Sequence, residues 1–161
     1  MLGSLEEAVT AQEIGNSLTP YRPNVPGWEY IASGCYRHVY RAPSGVVYKV
    51  VCSDWYSYES NPNQVELDLL TEHRDKVWAP KVYGWFINEQ PVVAMEYVDG
   101  YHAPWSYEID ELELTEAQRE LVRDAEQFIG DLHGENVMIV DHFTIKVVDA
   151  GMTSSSYARA V

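Results

Sequence analysis

Positive charge is scarce in this chain: Lys and Arg number 11 against 25 Asp and Glu, a formal charge of -14 at pH 7. Binding along a nucleic-acid backbone draws on clustered Lys and Arg, so a general nucleic-acid surface is excluded. Any phosphate must be held by local cations or a metal. Long apolar runs are also missing. No stretch approaches the ~20 residues that cross a bilayer, and the start, MLGSLEEAVTAQE, has neither a basic n-region nor an apolar h-region. The expectation is a cytoplasmic protein without membrane contact. Cysteine is limited to Cys35 and Cys52, neither in a CxxC pair nor at another zinc-recruiting spacing. Both are expected as small buried side chains.

What is present suits one globular domain. A chain of 161 residues, 46% of them hydrophobic, buries roughly 70% of its unfolded surface on folding. Ser4 followed by Glu7 has capping-box spacing, and Leu5, Val9, Ile14 and Leu18 predict a short amphipathic helix ending near Gly15 and Asn16. Prolines at 20, 23 and 26 then make TPYRPNVPG an extended linker. Residues 1–27 are thus read as helix plus linker and 28–161 as the domain proper, with 28–98 and 99–161 as its two parts.

From Trp28 the segments WEYIAS, HVYRA and VVYKVVC are rich in Val, Tyr and Ile and read as an antiparallel meander. Asn61, Pro62 and Asn63 open a helix with Val65, Leu67, Leu69 and Leu70 on its apolar side, and KVYGWFI and PVVAMEYV add two more strands. The expected class is α+β with a five-stranded antiparallel sheet. Residues 101–114 read as irregular, Thr115 with Gln118 starts a helix to about Phe128, and NVMIV and TIKVV form a final hairpin. Trp78, Tyr83, Trp85 and Phe86 read as core and sheet cover.

The chemistry lies in DLHGEN and VVDAG. Asp131 and Asn136 share one loop, and Asp149 follows Asn136 by 13 residues, just beyond a strand. Phosphoryl transfer needs a carboxylate at the attacking hydroxyl, plus an amide oxygen and a second carboxylate to hold magnesium against the phosphates. Upstream, Lys49 stands among Val46, Val47, Val50 and Val51. A lysine in so apolar a strand needs a partner, and Glu66 is the natural one.

In this order the motifs resemble the protein-kinase-like superfamily, closest to its small-molecule and atypical branches, whose catalytic loops read D-L-H-x-x-N. The resemblance covers residues 30–151 and implies ATP and magnesium as cofactors. It implies Asp131 as catalytic base, His133 at the catalytic-loop lysine position, and Asn136 and Asp149, with Gly151 in DAG, as the metal-binding set. Lys49 becomes the phosphate lysine paired with Glu66 of the helix C position, Met95 a gatekeeper, and the backbone of Glu96 and Val98 the adenine hinge. His133 has a second reading as a structural histidine.

The pattern also breaks. Where the family writes G-x-G-x-x-G-x-V, this chain has Ala32, Gly34 and Arg37 before Val39. Arg37 either supplies a compensating charge to the phosphates or points to solvent. Ile129 and Gly130 stand where the family has histidine and its neighbour. Ten residues follow Gly151, so an activation segment and most of a C-lobe are not expected. The reading is a minimal kinase-like phosphotransferase acting on itself or a partner protein, with nucleotidyl transfer open. The alternative is a pseudokinase that regulates a partner. A partly uncovered apolar side on the helix at 115–128 is expected to bind a partner or a second copy, and Thr153, Ser154, Ser155, Ser156 and Tyr157 read as a polar tail or as self-modification sites.

Overall fold

In the computed structural model, which describes residues 1–34, 36–52, 61–103, 113–130 and 132–151, Ser4 opens the first element. Its hydroxyl accepts the N–H of Glu7 at 3.1 Å, and helix α1 runs Leu5–Gly15 to a C-cap at Asn16. The chain divides into two compact units, Met1–Leu67 with Lys81–Tyr97, and Asp68–Pro80 with Val98–Val161.

The first unit is built on a five-stranded antiparallel sheet, β1 Glu29–Ser33, β2 Arg37–Arg41, β3 Val47–Val51, β4 Val82–Ile87 and β5 Gln90–Met95, in the order β1-β2-β3-β5-β4. All five residues of the central strand β3 are buried, so both of its faces are covered. Because side chains alternate along a strand, Tyr48 and Val50 join Tyr40, Val92 and Ala94 in a core completed by Ala8, Ala11 and Ile14 of α1. The sequence left the docking of α1 open; it packs on β3, β4 and β5. Of the predicted apolar residues, Ile14 is buried and Val9 packs against the core, whereas Leu5 and Leu18 are exposed. Only small side chains let the helix lie this close: a Cβ on Gly15 would collide with Val50.

Helix α2, Pro62–Glu72, follows. Asn61 acts as its N-cap, its side chain accepting the N–H of Asn63 at 2.9 Å, and Pro62 takes the first helical position, where its missing N–H costs nothing. The β4–β5 hairpin turns on Asn88 and Glu89, both at positive φ (51° and 66°), as a tight two-residue hairpin turn requires. Trp85 is half-buried, with its indole N–H donating to Leu2 O at 3.2 Å. Tyr83 and Phe86 are exposed, which corrects their reading as core. Cys52 is exposed too, since β3 ends one residue earlier; Cys35 lies outside the described residues.

The second unit holds a three-stranded antiparallel sheet, β6 Tyr101–His102, β7 Val137–Asp141 and β8 Thr144–Val147. Strand β6 lies in a segment read as irregular; two residues are too few to show alternation. Helix α3, Glu116–Glu126, starts with the predicted capping box of Thr115 and Gln118. It packs on β8, and Val122 and Ala125 are fully buried with Gln118 and Ile129 nearly so. Ala117, Leu121 and Phe128 on the same stretch are half-buried. Gln118 Nε2 and Thr115 Oγ1 donate to the carbonyls of Asp141 and His142, each at 2.6 Å, pinning the helix start to the β7–β8 turn. Trp78, fully buried, donates its indole N–H to Asp124 at 2.8 Å.

Among the described residues, no helix is long and apolar enough to cross a membrane.

Candidate functional site

In the first unit, four predicted residues share one face of the sheet. Ala32 stands opposite Val39, Val39 opposite Lys49, and Lys49 opposite Val93, a cross-strand row whose side chains point away from α1. Val47 lies two residues from Lys49, so its register partner Met95 is on this face as well.

Lys49 is buried, at 4% exposure, and Glu66 is fully buried. The Lys49 ammonium donates to Glu66 Oε1 at 2.7 Å. Helix α2 delivers this carboxylate because its first turn is fixed to the sheet. The Asn63 amide nitrogen donates to Lys49 O and to Pro91 O, both at 2.9 Å, which ties the helix to β3 and β5 together. A buried ion pair needs such surrounding hydrogen bonds to offset the desolvation of its charges.

Of the two sequence readings of Arg37, the one that points it to solvent is corrected: the residue is buried at 7% exposure. Its Nη1 donates to Glu66 Oε2 at 2.6 Å and to Asn63 Oδ1 at 3.2 Å. Sequence inspection missed Asn63, which reads simply as a helix opener. The available signal for Arg37 was the strand register: it lies two residues before Val39 and thus on the Lys49 face.

The remaining first-unit positions are more open. Gly34 is exposed, its N–H donates to Arg37 O at 3.0 Å, and a Cβ there would meet nothing within 4 Å. Fold geometry therefore does not demand glycine at 34. Met95 is buried at the end of β5. The Glu96 N–H is committed to Lys81 O at 3.0 Å, so a ligand contact from Glu96 would use its carbonyl oxygen. The Arg41 guanidinium lies 3.7 Å from the Tyr97 ring centroid, a cation–π contact that fixes the chain after β5.

In the second unit, Asn136 ends a 3₁₀ turn, Gly134–Asn136, and β7 begins at the next residue. His133 precedes that turn half-buried, and its carbonyl accepts the Asn136 N–H at 2.9 Å. The Val148 N–H donates to Asn136 O at 2.9 Å, so Asn136 and Asp149 stand at the same end of the β7–β8 hairpin. Asp149 is exposed, and its Oδ1 accepts the Gly151 N–H at 3.2 Å. Amide oxygens and carboxylates are hard donors of the kind magnesium takes. Asp131 lies outside the described residues, as do Thr153, Ser154, Ser155, Ser156 and Tyr157. Val98 is half-buried in this second unit.

The architecture is α+β, with a five-stranded antiparallel sheet and a buried lysine–glutamate pair. Comparison with protein-family models gave no match, and comparison with curated proteins gave none either.

Proposed function

We propose that the chain is a minimal protein-kinase-like phosphotransferase that uses ATP and magnesium. The observation that carries this reading is the buried pair of Lys49 on β3 and Glu66 on α2. Burying two charges is costly, and an apolar pair of equal volume would serve folding as well or better, so a functional demand for a fixed ammonium group accounts for its presence. In this reading Lys49 neutralises the phosphates, Asn136 and Asp149 hold magnesium, and Asp131 accepts the proton of the acceptor hydroxyl. Ala32, Val39 and Met95 form an apolar lining for the base, with the backbone of Glu96 and Val98 as its polar contacts. The acceptor is a hydroxyl of the chain itself or of a partner protein.

A second reading, a pseudokinase that regulates a partner, is favoured by one observation. Arg37 is buried against Glu66, and the phosphate loop keeps only Gly34 of the family's three glycines. Exposed Tyr83 and Phe86 are apolar side chains that edge strand β4 would offer such a partner.

Thermal denaturation with ATP, with and without magnesium, tests binding, since a ligand specific for the native state stabilises by RT ln(1 + [L]/Kd). Asp149→Asn, at an exposed position, should leave the ligand-free melting temperature within about 1 °C and remove the magnesium-dependent part of the shift. An unchanged shift removes Asp149 from the site. Labelled-phosphate transfer, lost in Asp131→Ala, separates the enzyme from the pseudokinase.

A further inference from the structure

Glu66 is bound from two strands at once. Lys49 on β3 takes Oε1 at 2.7 Å and Arg37 on β2 takes Oε2 at 2.6 Å. The register sets Arg37 opposite Val51 and Val39 opposite Lys49, so the two cations stand on one face as diagonal neighbours. A carboxylate has about four lone-pair sites and accepts both. The two donors nonetheless do different things. An ammonium is a compact charge that follows its acceptor, whereas the planar guanidinium has a fixed donor geometry. Here one guanidinium nitrogen bonds both Glu66 and, at 3.2 Å, the Asn63 side chain, which is anchored in turn at 2.9 Å to the carbonyls of both Lys49 and Pro91.

We propose that Arg37 is a positioning residue, fixing the Glu66 carboxylate so that the Lys49 ammonium is held in one place before any ligand arrives. Arg37, Lys49, Asn63 and Glu66 all belong to the first unit. This rests on the nucleotide reading above and adds to it how the phosphate lysine of that site is positioned.

The test is acylation of Lys49 in the intact chain by acetic anhydride, followed by mass spectrometry, alongside backbone hydrogen exchange of β2 and β3. In Arg37→Gln, Lys49 should be acylated about tenfold faster than in the parent while exchange across both strands is unchanged. Arg37→Lys, which keeps a cation but not the fork, should fall between the two. A purely structural role for Arg37 would raise strand exchange together with acylation, and that result overturns the proposal. So does an Arg37→Gln rate equal to the parent's, or, if that variant does not fold, an Arg37→Lys rate equal to the parent's. Magnesium–ATP affinity, measured on the same proteins, should weaken in the same order. A parent chain that binds no nucleotide overturns the nucleotide reading, and with it the role of Arg37 there, whatever the acylation rates.

Discussion

At the scale of single residues, Glu66 carries the most consequence. Fully buried, it is the shared acceptor for Lys49 and Arg37, and truncating it strands two buried cations. Glu66→Ala should therefore lose about 3–5 kcal/mol of unfolding free energy, the usual cost of breaking a buried pair from one side, as read from urea denaturation. A loss below about 1 kcal/mol would place the pair among exposed ion pairs instead. Asp124 offers a pH-dependent counterpart in the second unit. The Trp78 indole N–H, then the Lys76 ammonium, hold its carboxyl below the usual range. Because the folded pKa is depressed, its contribution is complete above the unfolded carboxylate value of about 3.9 and is lost as pH falls through the lower folded value. Acid titration followed by Trp fluorescence should show a shallower decline below that point in Asp124→Asn than in the parent. Identical acid profiles would remove Asp124 from the linkage.

At the scale of elements, α1 shows how a helix joins a core largely through small side chains. It offers Ala8, Ala11 and Ile14 to the sheet, and its N-terminus is held by polar contacts. The Tyr48 hydroxyl accepts from Ser4 N–H at 3.1 Å and donates to the Glu7 carboxylate at 2.8 Å. Burial and the carboxylate contact both disfavour a phenolate and push the Tyr48 pKa up. Deleting residues 1–16 should expose Tyr40, Tyr48, Val50, Val92 and Ala94, lower the melting temperature and raise binding of a hydrophobic dye. A deletion that melts like the parent would mean that α1 adds nothing to the unit's stability. The capped starts of α1 and α3 were legible in sequence because a cap acts within four residues. Strand β6 was not, because its place is set by pairing with β7 rather than by its own pattern.

At the scale of the whole molecule, the dominant property is the charge of -14. Such a chain repels itself when compact, and raising ionic strength from about 0.01 M to about 0.15 M shortens the screening length from about 30 Å to about 8 Å. The melting temperature should rise with sodium chloride over that range, by about 2–4 °C for each kcal/mol gained. A fall would mean that attractive ion pairs outweigh the net repulsion. Much was readable from the sequence alone: the helices, seven of the eight described strands, the α+β class and the need of Lys49 for Glu66. These follow from alternation, capping and the cost of an unpaired buried charge, all properties of short segments or single groups. Tertiary structure alone decided that Arg37 turns to a carboxylate 29 residues away, that α1 belongs to the sheet and that α3 packs on β8. A side chain's partner depends on strand register and on which face each helix covers, and those are set by packing the whole unit rather than by the residues beside it in the chain.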